Sequence, residues 1–216
     1  FTTLTTYEGI SKSRLFSIAI VDFNKDNQSD IVVANYGTNN VLVMSRYFNE
    51  PSAKQTNYLN RSHTGVTCTV IADFNNDNYL DIVANVLSKG DLLLLVGDGN
   101  GTFVGKKEIS AGYESFVQQL RAKDLNNDNR MDIVTANRGS DSVGVILGDA
   151  DENFAMVVTY PTGIGSSPYC VAIEDVNNDN KLDIISAKKN TYTICAVISD
   201  NYIRSIIIVQ ITNSDK

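Results

Sequence analysis

Acidic and amide side chains recur in four nonapeptides that share the pattern Asp-x-Asn-x-Asp-Asn-x-x-Asp. They begin at Asp22, Asp73, Asp124 and Asp175, so consecutive copies are 51 residues apart. Twelve of the 19 Asp residues of the chain lie inside these nonapeptides. Because each copy packs three carboxylates and an amide oxygen into nine residues, the pattern indicates ligands for a hard cation.

The ligands are expected at positions 1, 3, 5 and 9 of each nonapeptide, with a backbone carbonyl at position 7. Calcium accepts roughly six to eight oxygens in a flexible arrangement, whereas magnesium demands a tighter octahedron and keeps more water. Transition metals favour Cys or His, which the nonapeptides lack. We therefore predict up to four Ca²⁺ sites. Their ligands would be Asp22, Asn24, Asp26, Gln28, Asp30, Asp73, Asn75, Asp77, Tyr79, Asp81, Asp124, Asn126, Asp128, Arg130, Asp132, Asp175, Asn177, Asp179, Lys181 and Asp183. Of these, Gln28, Tyr79, Arg130 and Lys181 would bind through the backbone carbonyl.

The nonapeptides differ from an EF-hand, because position 12 is never the Glu that an EF-hand requires. Position 6 is Asn in every copy, and Asn is the residue after Gly that best tolerates the left-handed turn expected there. Ordinary Asp- and Asn-rich hairpin turns are the alternative interpretation. Four such turns with three carboxylates each would be repulsive without a cation, and four divalent ions would almost cancel the net charge of −7.

Four short apolar runs surround each nonapeptide and must position it. The first, A, precedes the nonapeptide, and the second, B, follows it and is rich in β-branched residues; runs C and D come after two further turns. Four strands within about 50 residues are the signature of a propeller blade. We therefore predict an all-β fold, a single β-propeller domain over residues 1–216 with four-stranded blades at about 1–51, 52–102, 103–153 and 154–204. Residues 205–216 would form a closing or extra outer strand.

The pattern Asp-x-Asn-x-Asp-Asn-x-x-Asp followed by Ile-Val-x-Ala-Asn, together with Gly-Asp-Gly-Asn-Gly-Thr-Phe at 97–103, resembles the FG-GAP or VCBS repeat. That repeat builds the propeller of integrin alpha chains. The resemblance implies a calcium-stapled propeller, usually of seven blades, in extracellular adhesion or recognition proteins. Only four copies are present, and both 1–7 and 205–211 align with strand D. We expect a closed or self-assembling four-blade ring in preference to a segment of a larger propeller.

Antiparallel hairpins alternate ends, so the nonapeptides lie at one end of the blades and the B–C turns and D–A connectors at the other. With the carboxylates assigned to metal, recognition is expected at the connector end. The residues predicted to bind a ligand there are Tyr36, Tyr113, Arg138, Asp141 and Tyr169. The alternative is that these are ordinary solvated turn residues.

The function predicted from these features is a non-enzymatic recognition or adhesion propeller with a protein or glycan ligand. Two alternatives remain: a lectin with a sugar pocket on each blade, and a calcium-dependent polysaccharide lyase or its accessory module. The chain has no nucleophile elbow, P-loop or dinucleotide fingerprint. Net charge −7 argues against nucleic acid, and no apolar run reaches the roughly 18 residues of a membrane helix.

Cysteine and Asn-x-Ser/Thr patterns give weaker signals. Three Cys residues, at 68, 170 and 195, are expected to be buried free thiols rather than a disulfide. Asn100 and Asn60 begin sequons that could carry N-glycans. The family resemblance, more than these residues, leads us to expect either a secreted protein or the extracellular part of a larger protein.

Overall fold

The computed structural model describes residues 13–45, 54–58, 65–86, 90–149, 153–188 and 194–197, and these residues form strands, turns and connectors without a helix. The strands are β1 (Leu15–Val21), β2 (Asp30–Asn35), β3 (Asn40–Ser45), β4 (Lys54–Tyr58), β5 (Thr69–Ala72), β6 (Asp81–Val86), β7 (Asp91–Gly97), β8 (Phe103–Ser110), β9 (Val117–Lys123), β10 (Asp132–Asn137), β11 (Ser142–Ile146), β12 (Val158–Pro161), β13 (Pro168–Glu174), β14 (Asp183–Lys188) and β15 (Ile194–Val197). The predicted all-β class is confirmed. None of the described residues forms a helix long and apolar enough to cross a lipid bilayer.

The strands form four consecutive antiparallel sheets, one for each sequence repeat. The orders are β1-β2-β3-β4, β5-β6-β7-β8, β9-β10-β11-β12 and β13-β14-β15. The strand register is repeated as well. Ile18 pairs with Val33, and two repeats later Leu120 pairs with Thr135. Strands A to D of the repeat thus correspond to successive strands of each sheet, and each nonapeptide joins the first strand to the second.

The second strand of each of the first three sheets is buried on both faces, which explains its run of β-branched residues. In β10, every residue from Asp132 to Asn137 is buried. One face of each sheet packs on the next sheet, so that Val32 and Ala34 of β2 share a core cluster with Ile82 and Ala84 of β6. Sheet-on-sheet burial between consecutive repeats therefore supplies the core, as expected for propeller blades.

Aromatic rings fill the first two inter-sheet spaces near the nonapeptides. Phe103 of β8 lies with its ring centroid 5.1 Å from those of both Phe23 and Tyr58, in edge-to-face geometry. One repeat later, Phe154 lies 6.0 Å from Phe74. Edge-to-face pairs of this kind each add about 0.5–1.5 kcal/mol beyond their buried area.

Two details differ from the sequence prediction. The D strand of the third repeat, whose apolar run begins at Phe154, starts only at Val158. Phe154 itself makes a single isolated bridge to Gly148 before the chain leaves the sheet edge. Cys68 is buried as predicted, but Cys170 is exposed, because no further sheet of the described chain covers its side of β13. The side chain of Cys195 and the predicted D strands at 1–7 and 205–211 lie outside the described residues.

The inner strands of the four sheets follow one another. Strand β1 packs against β5, β5 against β9, and β9 against β13. A comparable contact between β13 and β1 is not found among the described strands. The architecture is therefore a series of propeller-like blades, and closure into a four-blade ring is not shown.

Candidate metal centres and recognition face

All four nonapeptides, here called the Asp loops (22–30, 73–81, 124–132 and 175–183), adopt the same backbone conformation. Position 6 has a left-handed φ of 63°, 67°, 64° and 63° in the successive loops, as predicted for Asn. Position 4 is also left-handed, at 59°, 60°, 59° and 60°, which the sequence analysis did not anticipate. In the first loop this residue is Lys25, for which the conformation is unfavourable. The loop conformation is therefore imposed by its hydrogen bonds rather than by local preference alone.

Side-chain oxygens of positions 1, 3 and 5 accept backbone N–H groups within the loop. In the second loop, Asp73 accepts from the N–H of Asn78 at 2.8 Å and from that of Asp77 at 3.2 Å. The Oδ1 atom of Asn75 accepts from Asp77, and Oδ1 of Asp77 accepts from the N–H of Tyr79 at 2.7 Å. The first, third and fourth loops repeat these bonds. Such Asx-type bonds make the loop a self-supporting turn.

Position 9 differs from the others because its carboxylate is fully buried in all four loops, at Asp30, Asp81, Asp132 and Asp183. Oδ2 of Asp81 accepts the N–H of Phe74 at 2.9 Å, and Oδ1 accepts that of Gly97 at 2.8 Å. A side chain at Gly97 would collide with the carbonyl of Leu80, so only glycine lets the end of β7 approach the carboxylate this closely. In the second repeat, position 9 therefore ties the loop to the third strand of its own blade.

Burial raises the pKa of Asp81 to about 6, against two backbone hydrogen bonds that lower it. The neighbouring carboxylates of Asp77 and Asp73 raise this pKa further. Burial, together with the charges of Asp128 and Asp124, likewise raises the pKa of Asp132. The three carboxylates of one loop therefore feel each other's negative charge, which a bound cation would relieve.

Chemically, the loop side chains fit the predicted calcium, since each loop supplies three carboxylates and an amide oxygen and no nitrogen or sulfur ligand. Among the described residues, no three His, Cys, Asp or Glu side chains are gathered into a ready metal-binding group. Each carboxylate is instead oriented toward the N–H groups described above. An oxygen that accepts one N–H keeps a second lone pair, so these bonds leave ligand capacity for a hard cation.

The first two Asp loops contact each other, and the turn at 98–102 lies against Tyr79 of the second. The ammonium of Lys25 in the first loop lies 4.6 Å from the ring centroid of Tyr79 in the second. In the turn at 98–102, the carboxylate of Asp98 accepts a hydrogen bond from the Thr102 hydroxyl. Burial raises the pKa of Asp98, but this bond and the backbone hydrogen bonds to the carboxylate together lower it below its ordinary value. Asn100, one of the two predicted glycosylation sites, is exposed in this turn, and Asn60 lies outside the described residues.

The five residues predicted to bind a ligand all lie at the opposite end of the sheets, here called the connector end. Tyr113 is 86% exposed, and Tyr36, Tyr169 and Arg138 are exposed as well. The N–H of Gly139 donates to the carbonyl of Ser115 at 2.9 Å and so joins the turn of Arg138 to the connector of Tyr113. Tyr36 instead contacts Phe16, with ring centroids 5.4 Å apart.

Asp141 holds a connector in place. Its carboxylate accepts the N–H groups of Gly165 at 2.6 Å and Ser167 at 2.8 Å, and its carbonyl accepts from Thr162. These bonds fix the 162–167 connector, which leads into β13. Sequence reasoning placed Asp141 on the ligand-binding surface, where its contribution to a ligand stays a prediction, but it did not foresee this bracing.

A cavity of about 760 Å³ lies between the third and fourth sheets on the Asp-loop side, where the sequence indicated no pocket. Leu125 and Tyr160 line it, together with Asn126 and Lys181. Leu125 and Tyr160 are the counterparts, two repeats on, of the Phe23 and Tyr58 that enclose Phe103. The position equivalent to Phe103 is Ser205, outside the described residues. The replacement of Phe by Ser at this position of the repeat is the sequence signal that could have indicated the cavity.

Repeated blades with an Asp loop between the first two strands define an all-β repeat protein of propeller type. The model of the FG-GAP-like repeat matches the chain three times, at residues 22–84, 73–135 and 124–186. The chain therefore belongs to the FG-GAP-like repeat family, which confirms the resemblance seen in the sequence. No curated protein matches this chain in sequence at a significant level.

Several solved structures share the fold at low sequence identity. Virginiamycin B lyase from Staphylococcus aureus is 13% identical, with a TM-score of 0.60 over 92% of this chain and 61% of the lyase. A lectin from Agrocybe aegerita that recognises non-reducing terminal N-acetylglucosamine is 18% identical, with a TM-score of 0.53 over 82% of this chain and 47% of the lectin. An auxiliary nutrient-binding protein from Bacteroides ovatus is 9% identical, with a TM-score of 0.54 over 82% of this chain and 44% of that protein. The chain thus spans about half the length of these propeller-type structures.

Proposed function

We propose that this chain is a non-enzymatic, extracellular recognition propeller in which calcium is a structural ion. Each Asp loop would hold one Ca²⁺ through the side-chain oxygens of positions 1, 3, 5 and 9 and the carbonyl of position 7. The observation that carries the proposal is the fourfold recurrence of three carboxylates in one hydrogen-bonded loop conformation. In the second and third loops, the charges of the other two carboxylates also raise the pKa of the buried one. A ligand, protein or carbohydrate, would bind at the connector end.

A structural role for the ion follows from where the loop is attached. The buried position-9 carboxylate connects the loop to the second strand and, in the second and third repeats, to the end of the third strand. A cation shared by this carboxylate and the exposed ones would fasten the outer turn to the core of the blade. The outer parts of the loops would otherwise depend mainly on Asx-type bonds, and such bonds at solvent-exposed sites contribute modestly.

The connector end is proposed for the ligand because it carries exposed aromatic and basic side chains on braced turns. Tyr113 and Tyr169 offer exposed ring faces, and Arg138 offers a planar set of donors. Aromatic rings stacked on apolar sugar faces or inserted in a protein interface are typical of both ligand classes. A lectin of the same fold recognises a terminal sugar, which supports carbohydrate as one of the two classes.

Thermal unfolding tests the calcium proposal directly. We expect the Tm of metal-free protein to rise on addition of Ca²⁺ and to fall again with chelator, because a ligand that binds only the folded state stabilises it by about 2.7 kcal/mol per site at a hundred times its Kd. Magnesium at the same concentration should give a smaller rise. Identical Tm values for the calcium-loaded protein and for protein shown by elemental analysis to be metal-free would contradict the proposal.

Binding to immobilised glycans and to candidate protein ligands tests the connector end. We expect Arg138→Ala and Tyr113→Ala to weaken binding, and Val104→Ala, an exposed substitution on the outer strand β8, to leave it unchanged. Equal loss in all three variants would argue against the connector end. Appearance of an ultraviolet-absorbing unsaturated product with a polysaccharide would instead indicate a lyase.

A further inference from the structure

Large apolar side chains on β1 are exposed although their counterparts in the other sheets are buried or partly buried. This surface, the leading face, consists of Leu15, Ile18 and Ile20. Ile18 is 66% exposed, whereas its counterparts two and three repeats later, Leu120 and Val171, are 0% and 2% exposed. The preceding sheet covers those counterparts, as in the core cluster that joins Leu120 to Leu92 and Leu94 of β7. Strand β1 therefore presents a sheet-packing surface that no sheet among the described residues covers.

The fourth sheet presents the complementary surface at the other end of the series. This trailing face consists of Cys170 and Ala172 of β13, which are exposed, and Ile185 and Ala187 of β14, which are half-buried. The counterparts of Ile185 and Ala187 in the third sheet, Val134 and Ala136, are fully buried beneath the fourth sheet. One chain thus carries both halves of the interface that joins consecutive sheets.

A repeated hydrogen bond shows that the two halves match in register. The N–H of Leu120 donates to Sγ of Cys68 at 3.4 Å, and one repeat later the N–H of Val171 donates to Oε1 of Gln119 at 2.8 Å. Ile18 occupies the donor position and pairs with β2 in the register that Leu120 has with β10. Cys170 occupies the acceptor position and is the same residue type as Cys68. Strand β1 and β13 therefore carry the donor and the acceptor of the same bond.

We propose that the leading face of one copy of this chain docks on the trailing face of a second copy, head to tail. Burial of the three large apolar side chains of the leading face provides the driving force, at about 25 cal/mol per Å² of apolar surface. The contact would repeat the packing of the third sheet on the second, with the Ile18 N–H donating to Cys170 of the other copy. Because this contact is heterologous, it joins copies in a ring or an open series rather than in a symmetric pair.

Sedimentation analysis of the full chain over a range of concentrations tests this proposal. We expect reversible self-association that Ile18→Lys on the leading face and Cys170→Arg on the trailing face each weaken at least about tenfold, since a charge in an apolar contact is costly. Both residues are exposed, so we expect the variants to fold, which circular dichroism would check. Val104→Lys, a matched apolar-to-charged change at a 73% exposed position on β8, should associate like the unsubstituted chain.

Mixing the two variants distinguishes a head-to-tail contact from any other. Ile18→Lys keeps its trailing face and Cys170→Arg keeps its leading face, so an equimolar mixture should form a heterodimer that goes no further. Absence of that heterodimer would overturn the proposal. So would a monomeric unsubstituted chain at its highest soluble concentration. If that monomer also protected Cys170 from a thiol reagent, the two faces would meet within one molecule instead. The measurement does not depend on calcium, so its failure leaves the proposed function intact.

Discussion

At one end of the sheets, the four Asp loops repeat the same hydrogen bonds almost atom for atom. At the other end, the connectors at 111–116 and 162–167 share their left-handed backbone positions but differ in sequence and in the contacts that brace them. The N–H of position 6 meets the position-1 carboxylate at 2.8 to 2.9 Å in every loop. At the connector end, the carbonyl of Ser115 in the 111–116 connector accepts the N–H of Gly139, whereas the 162–167 connector is held by the carboxylate of Asp141. The same repeats thus keep their side-chain hydrogen bonds at the Asp-loop end and vary them at the connector end.

The difference between the two ends reflects the different roles of the Asp loops and the connectors. A loop that appears four times in one conformation serves something common to all blades, which is to join strands one and two and, as proposed, to hold a cation. Connectors that share a backbone conformation but carry different side chains can each be shaped for a ligand, because loops on a rigid scaffold tolerate change. Substitutions of the same residue type at the two ends should therefore have unequal effects.

Replacing the buried carboxylate of an Asp loop is expected to have the largest effect. Asp81→Ala leaves the N–H groups of Phe74 and Gly97 without an acceptor in a buried site, and each such group costs about 1–3 kcal/mol. We expect the free energy of unfolding to fall by about 2–5 kcal/mol in urea titrations performed with chelator, so that metal does not contribute.

Asp77→Ala, in the exposed part of the same loop, is the matched control and should cost less than about 1 kcal/mol under these conditions, because water can replace the lost acceptor. Similar losses for Asp81→Ala and Asp77→Ala would mean that burial of position 9 does not set the stability of the loop.

Calcium-dependent stabilisation should be confined to one end. Asp77→Asn keeps an acceptor for the N–H of Tyr79 but removes one ligand charge, so we expect the calcium-induced rise in Tm to shrink while the Tm in chelator hardly changes. Asp141→Asn, the same change at the connector end, should leave the calcium-induced rise intact. A full calcium response in Asp77→Asn, or a reduced one in Asp141→Asn, would break the proposed division between the ends.

Removing the carboxylate of Asp141 should have a smaller and local effect. Asp141→Ala frees the N–H groups of Gly165 and Ser167, but both can reach water, so we expect a loss of about 1 kcal/mol in global stability. Amide hydrogen exchange should accelerate in the 162–167 connector and remain unchanged in the Asp loops. Unchanged exchange in 162–167 would show that other contacts brace this connector.

Sequence reasoning predicted the parts of both ends that depend on local pattern. Strand runs, their alternation between ends and the left-handed Asn27, Asn78, Asn129 and Asn180 follow from periodicity and residue type, and the structure confirms them. What it missed depends on contacts between distant residues. The bond from Gly97 to Asp81 spans 16 residues and that from Ser167 to Asp141 spans 26, and neither is visible in a window around one residue. Lys25 has a left-handed φ for the related reason that loop carboxylates fix the backbone around it.

Truncation of an exposed aromatic at the connector end should have the smallest effect on stability. Tyr113 is 86% exposed, so Tyr113→Ala removes little buried area and should change the free energy of unfolding by less than about 0.5 kcal/mol in the urea titration used for Asp81→Ala. Tyr58→Ala is the contrasting variant, because this tyrosine is buried against Phe103 and its loss should cost about 3–5 kcal/mol. An aromatic ring that is exposed, braced by its connector and dispensable for folding is available for a ligand. A marked loss of stability in Tyr113→Ala would instead assign this ring to the scaffold and make the connector end as structural as the Asp loops.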